Sequence, residues 1–520
     1  MKQFLKNLGL WWDKTDIKSI IISYVYINFA FLYHSLNLMW GNHDVSFIRE
    51  RLYLSSGLFE GRFTQFIPHV LLTDGQILPI VNNMIGFLFL VLGLWVLAKY
   101  WNLSKSVLNY TLFIVFFATE PYTLSWLYFT FITLSCLFWV LLVILGLYIS
   151  FNLIKKTYKP LLFLLSVLCF YLALGGYPPV INTIAVCLAA KCTIEYAFEK
   201  ENFKNIIKSQ YYTILSIILA GLLVKLTLFF VRPDNVYNLE LTPISDMPSK
   251  FYSILQISYK QFLLSLPFME KAYKVVSLLM CGIAFVSVIF KQKKLKTRLG
   301  VLFFTFITVL GASLTTFLVV PHTEYVARVD FYGLAFVYVF ALYLLLMFKT
   351  PLLRSIGLLF MIILIPFNIV NDYRAQKIWQ QGFVAEMNVL DQIVERIESH
   401  PQFNAQKKYR FYQIGDISFR PIYYKQQVEQ KEPFLLDLPY LAMWQGDKLV
   451  EFFAAFDYID HEKSLLNTDI TPEVYDFIMH QAKPWPDVHS VFVNQDIIIV
   501  IYNLSTLNEF QQKLQRLYRF

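Results

Sequence analysis

Long apolar runs separated by short polar connections dominate the first 370 residues. Eleven of these runs are candidates to cross a bilayer, several of them short for a hydrocarbon core of about 30 Å. They are Ile17–Trp40, Ile77–Tyr100, Leu103–Thr119, Ile132–Ile154, Lys159–Gly175, Val180–Tyr196, Tyr212–Val231, Val275–Phe290, Arg298–Val320, Phe331–Phe348 and Leu352–Val370. Between the third and fourth, Pro121–Thr130 reads as a re-entrant or interfacial piece. No small-residue cleavage site follows the first run, so it is expected to stay as a helix rather than be removed as a signal peptide.

The pattern changes at Asn371, and residues 371–520 read as a soluble domain of mixed α/β type. Phe383, Met387, Leu390, Val394 and Ile397 recur at three-four spacing along a helix predicted over Asp372–His400. Tyr409–Ile414 predicts a strand, and Val491–Val493 with Ile497–Tyr502 predicts a hairpin around Asn494-Gln495-Asp496. Thr506 with Glu509 predicts a capping box opening a last helix, which carries Phe510, Leu514 and Leu517. A stretch of about 150 residues is long enough for its own core.

Composition turns the pattern into a class. Hydrophobic residues make up 57% of the chain and charged residues 16%, against roughly a quarter charged in soluble domains. The chain is therefore expected to be a polytopic α-helical membrane protein. The net charge of +9 sits mostly between apolar runs, so topology explains it better than a nucleic-acid face does. The five cysteines lie in or beside apolar runs without a CxxC pair, as small core residues do.

The cations alternate from one connection to the next. Lys2, Lys6, Lys14 and Lys18; Lys99 and Lys105; Lys155, Lys156 and Lys159; and Lys191, Lys200, Lys204 and Lys208 share one side. Lys291, Lys293, Lys294, Lys296, Arg298, Lys349 and Arg354 continue it. Cytoplasmic loops collect Lys and Arg, which predicts a cytoplasmic N-terminus and, after eleven spans, an external C-terminal domain.

The other side then holds the chemistry. Its first loop, Trp40–Phe63, carries Asn42, His43, Asp44, Arg49, Arg51, Glu60 and Arg62. Asp44 is a candidate general base, since a carboxylate near a partly desolvated surface can take a proton from a sugar hydroxyl. Arg62, Arg328 and Lys225 are candidates to hold a phosphate. Lys225 lies about six residues, roughly 9 Å, from the end of its span, and is either a functional cation or one that snorkels to the interface. His43 and His69 are either ligands of a metal or phosphate or ordinary loop residues. Glu120 either caps the segment after it or acts in catalysis. Tyr177, between Gly176 and Pro178, is a candidate to stack on a sugar or a member of the interfacial aromatic belt. Arg49 and Arg51 are expected on an amphipathic interfacial helix with Val45, Ile48, Leu52 and Phe59 facing lipid. The inner connections are short and lysine-rich, without a nucleotide-binding motif.

These motifs, taken together, resemble the GtrII-like O-antigen glucosyltransferases of the GT-C class. The resemblance rests on Asn42-His43-Asp44, Gly61-Arg62-Phe63, and Glu120-Pro121-Tyr122 with the aromatic run Leu124–Phe131. It continues in Gly176-Tyr177-Pro178-Pro179, Ala327-Arg328-Val329 and Asn371-Asp372-Tyr373. It implies a GT-C-like transmembrane catalytic domain over 1–370 and a periplasmic domain over 371–520. The implied reaction moves glucose from a polyprenyl-phosphate donor to a surface polysaccharide such as O-antigen, in the bacterial inner membrane. Asp44 would be the catalytic acidic residue, with Arg62 and Arg328 at the donor phosphate. The remaining partners implied are a glycosyltransferase that makes the donor and a flippase that delivers it. No cofactor is required, although Asp44 beside His43 leaves a divalent metal open. His43 stands where family members often carry a second acidic residue, and Pro178 where they carry Gln. Two other classes compete: a lipid-linked-sugar flippase, which would place ionisable groups at mid-membrane on broken or repeated helices, and a non-catalytic polysaccharide assembly factor.

Overall fold

The computed structural model describes residues 12–37, 51–127, 132–152, 159–199, 202–232, 240–241, 243–263, 271–320, 327–415, 458–459, 470–494 and 496–517. These residues fall into two compact units, one running to Gln376 and the other from Lys377 onward.

The first unit is a helical bundle, and a helix forms in each of the eleven apolar runs. They are α1 (Lys14–Ala30), α3 (Pro79–Tyr100), α4 (Val107–Ala118), α5 (Thr133–Asn152), α6 (Lys159–Gly176) and α7 (Val180–Ala197). Then come α8 (Phe203–Val231), α10 (Lys271–Lys291), α11 (Leu295–Gly311), α12 (Ala327–Leu346) and α13 (Pro351–Glu398). Two further helices, α2 (Ile67–Thr73) and α9 (Met247–Leu263), lie in connections. Among the described residues, seven helices are long and apolar enough to cross a membrane: α3, α5, α6, α7, α8, α10 and the Pro351–Lys377 part of α13. The helices α4 and Gly333–Leu346 of α12 are apolar but shorter.

Side chains set several helix ends. Asp13 accepts from the Thr15 and Asp16 backbone N–H groups, and Asp16 answers on Asp13, closing a capping box on α1. Ser106 caps α4 through the Asn109 N–H at 3.0 Å, and Asn202 caps α8 through the Asn205 N–H at 2.9 Å.

Short connections make successive helices run in opposite directions. One end of the bundle therefore gathers the α3–α4, α7–α8 and α10–α11 connections, and ion pairs lock it. Buried Asp16 accepts from Trp95 Nε1 at 2.9 Å and Lys105 Nζ at 2.8 Å, with Lys99 at 3.7 Å. Lys191 lies 3.8 Å from Glu195 and 3.5 Å from Glu199. Three of the lysines that set the predicted orientation, Lys99, Lys105 and Lys191, thus have acidic partners in or beside the helices. The opposite end gathers the residues on either side of α2, the α4–α5 and α6–α7 turns, and the start of α10.

That end corrects two expectations. Arg51 to Tyr53 are not helical, and Leu54–Glu60 forms a 3-10 helix rather than an interfacial α-helix. Leu52 is buried, not lipid-facing, because its N–H donates to Gly75 O at 2.8 Å, while Arg51 pairs with Asp74. Arg49, Val45 and Ile48 lie outside the described residues.

A short antiparallel pair, β1 (Glu240–Leu241) with β2 (Val319–Val320), belongs to the first unit, and the second unit is built around a three-stranded sheet in the order β3 (Arg410–Ile414), β5 (Ile497–Ile501), β4 (Val491–Val493). The predicted hairpin forms, with Phe492 opposite Ile499, and β3 adds in parallel on the other side of β5. The strand β5 is buried throughout, and its period of two divides the core. Ile498 and Val500 join Leu390, Ile393 and Ile397 of α13, whereas Ile497, Ile499 and Ile501 join Leu507 and Leu514 of α14 (Leu504–Leu517). The cap of α14 is Asn503 rather than Thr506. Its Oδ1 accepts from the Thr506 N–H at 2.9 Å, because the helix starts at Leu504 and Thr506 already lies in its first turn.

Candidate active site

Two clusters form at the end of the bundle opposite the ion-pair lock. The first joins the Gly61-Arg62-Phe63 loop to the turn after α6. Thr64 donates its N–H to Gly175 O at 3.3 Å and its hydroxyl to Leu172 O at 2.7 Å. A methyl group on Gly175 would come 2.5 Å from the Phe63 ring, so only glycine lets the two segments approach this closely. Locked in this way, the loop sets the Arg62 guanidinium 5.4 Å from the centre of the buried Tyr177 ring, a cation–π distance. The structure thus brings together two residues that the sequence singles out separately.

His69 supports the same loop from behind. It is buried in α2 rather than placed in an open loop, and its Nδ1 lies 3.0 Å from Ser135 Oγ. The Ser135 hydroxyl spends its one proton on Gln65 O at 2.5 Å, so His69 Nδ1 must be the donor and Nε2 carries the lone pair. Burial pushes the imidazole down to about 3, and the ring is neutral. Among the described residues no group of three or more His, Cys, Asp or Glu side chains could hold a metal ion.

The second cluster surrounds Glu120, which is fully buried. One carboxylate oxygen accepts from the Tyr122 N–H at 2.9 Å, so Glu120 caps the 3-10 helix Pro121–Trp126. The other accepts from the Tyr273 hydroxyl at 3.4 Å. Burial pushes the carboxyl up to about 8, against the pull of the Tyr122 N–H and of Lys274. Lys274, which the expected span Val275–Phe290 leaves just outside, is the fourth residue of α10 and is buried. Its Nζ donates to the Tyr338 hydroxyl at 2.8 Å and to the Tyr122 hydroxyl at 3.0 Å. Those two rings stack with centres 5.6 Å apart. On α13, Asn368 donates to Thr119 Oγ1 at 3.4 Å, and one turn later Asp372 is buried.

Of the remaining candidates, Lys225 alone has a described side chain. Lys225 is exposed on α8 among the exposed Leu222, Leu226 and Phe229, the setting in which a lysine stem runs along lipid toward the interface. Arg328 belongs to the first turn of α12, and its side chain lies outside the described residues, as do His43 and Asp44. Lys274, Tyr273 and Tyr338 are residues that sequence reasoning missed, and Asp372 entered it only within the motif Asn371-Asp372-Tyr373. A usable signal was present: Asn368, Asp372 and Gln376 follow one another at four-residue spacing, a polar stripe continuing an apolar helix.

The family model for glucosyl transferase GtrII matches residues 49–349. The chain belongs to this family. The match covers the bundle from the Arg62 loop to the end of α12, and so includes Arg62, Glu120, Tyr177, Lys225, Lys274 and Arg328. His43 and Asp44 precede it, and Asp372 follows it. As a GtrII family member the chain is a membrane glycosyltransferase of the glucosyl type. No curated protein and no solved structure matches the chain.

Proposed function

We propose that this glucosyltransferase takes its sugar from a polyprenyl-phosphate donor and passes it to a surface polysaccharide such as O-antigen. The reaction would run at the outer face of the bacterial inner membrane, with the N-terminus cytoplasmic and the C-terminal domain periplasmic. The observation that carries the reading is Arg62 held over Tyr177, at the bundle end opposite the paired lysines. A donor anchored by its lipid cannot leave the bilayer, so its phosphate has to be met at the end of a helical bundle. A guanidinium beside an aromatic ring offers charge for the phosphate and a face for the sugar.

In this scheme Asp44 takes the proton of the acceptor hydroxyl as its oxygen attacks the anomeric carbon. The bond from that carbon to the phosphate oxygen breaks, and polyprenyl phosphate leaves with the electron pair. Arg62 and Arg328 stabilise the charge that grows on the leaving phosphate. The C-terminal domain would select the acceptor. Donor synthesis and donor flipping fall to separate proteins.

The test uses purified full-length protein in nanodiscs with polyprenyl-phosphate glucose labelled in the sugar, with and without polysaccharide. Label should pass to polymer with the wild type and not with Asp44→Asn, while size-exclusion behaviour and membrane level stay unchanged. Full turnover by a folded Asp44→Asn protein would remove Asp44 as the base. Label that crosses a bilayer without transfer would favour the flippase.

A further inference from the structure

We propose that His69 and Ser135 are positioning residues for donor binding, holding the Arg62 loop where its guanidinium meets the donor phosphate. The inference rests on the reading of Arg62 as a donor-phosphate residue and adds what keeps it in place. His69 and Ser135 are both buried, as are Thr64 and Gln65. They act through the backbone of the loop rather than on the donor itself.

Three hydrogen bonds run from His69 to Arg62. His69 Nδ1 donates to Ser135 Oγ at 3.0 Å, Ser135 Oγ donates to Gln65 O at 2.5 Å, and the Gln65 N–H donates to Arg62 O at 3.0 Å. One hydroxyl on α5 thus grips the segment twice, at Gln65 and at His69, about one helical turn apart in sequence. On the other flank the Arg62 N–H donates to Gly57 O at 2.9 Å, and a Cβ on Gly57 would come 2.4 Å from Arg62 O. With Thr64 fixed to Gly175 and Leu172 of α6, the loop is tied to two spans, α5 and α6.

A serine hydroxyl rotates to suit its neighbours unless one of them fixes it. The bond from His69 occupies a lone pair of Ser135 Oγ and leaves the proton aimed at Gln65 O. Without the imidazole the hydroxyl is free to turn. Without the hydroxyl Gln65 O loses that donor in a buried place, a cost that draws the segment toward water. Either loss releases the guanidinium from its place 5.4 Å from the centre of the Tyr177 ring. The role belongs to Nδ1, a position that the side-chain amide of asparagine can also supply with a donor and that leucine cannot.

The experiment measures donor KM and kcat of the full-length protein in nanodiscs with labelled polyprenyl-phosphate glucose and polysaccharide. Backbone hydrogen exchange of residues 62–65 is followed alongside, without substrate. His69→Leu and Ser135→Ala should each raise donor KM about fivefold, the factor equivalent to one lost hydrogen bond, with kcat nearly unchanged. The double variant should do no more than the larger single, since both break one chain. His69→Asn should restore the wild-type KM, and the Gln65 amide should exchange faster in His69→Leu but not in His69→Asn. A general loss of folded protein would instead lower apparent kcat and leave KM alone. An unchanged KM in His69→Leu and Ser135→Ala, where Arg62→Ala raises it, would overturn the inference. So would additive effects in the double variant, or His69→Asn behaving as His69→Leu does. An unchanged KM in Arg62→Ala itself would remove Arg62 from the phosphate site and the inference with it. If His69→Leu fails to fold, Ser135→Ala compared with Arg62→Ala decides alone.

Discussion

At Gly176 a side chain has nowhere to go: a Cβ there would come 2.3 Å from the Trp139 ring. The indole is itself buried in α5 and cannot swing away. Gly176→Ala is expected to destabilise the protein by about 1–3 kcal/mol, the usual cost of overpacking. Tyr177 follows directly and carries the Arg62 contact, so the substitution should also raise KM for the donor more than it lowers kcat. Thermal unfolding in detergent and a donor titration check the two parts. Single residues show where the sequence was legible. Arg62 and Tyr177 stand in recognisable short motifs, and their neighbours Phe63 and Gly175 explain why they meet. Lys274 was hidden because it lies at a helix end, where a charge reads as a solvated edge until packing shows it buried, and Asp372 because the last span was expected to end at Val370, whereas α13 runs on through it.

Among elements, the spans were the most legible, because a run of apolar residues admits little but a helix in a bilayer. Helix ends were less so. The helix α8 begins at Phe203, nine residues before its apolar run, because Asn202 supplies a cap that hydropathy does not register. The same effect moved the start of α14 to Leu504, where Asn503 outcompetes Thr506. Asn503→Ala should therefore cost about 1 kcal/mol, the typical loss on removing an N-cap side chain. Hydrogen exchange of the α14 amides would show the first turn opening earlier, whereas Thr506→Ala should leave that turn nearly unchanged. The strand β5 was legible as half of a hairpin but not as the middle of a sheet, since five apolar residues in a row carry no signal of what lies on each side.

For the bundle as a whole, His69 makes stability depend on pH. Its value falls from 6.5 in the unfolded chain to about 3 when folded, so its contribution is complete above pH 6.5 and is lost as the pH falls toward 3. At pH 5 the loss should be about 2 kcal/mol. Unfolding measured at pH 7.5 and pH 5 should show this difference in the wild type and a smaller one in His69→Asn. In the other unit, the sheet order dictates a sequence of events. The strand β5 pairs with both β3 and β4 but follows both in the chain, and those two do not pair with each other. During synthesis both edge strands must wait, with open hydrogen-bonding rims, until β5 emerges and closes them together. Long-range pairing of this kind is slow and leaves edges exposed to wrong partners. The sheet-bearing unit is therefore the part of this membrane protein with most to gain from a chaperone.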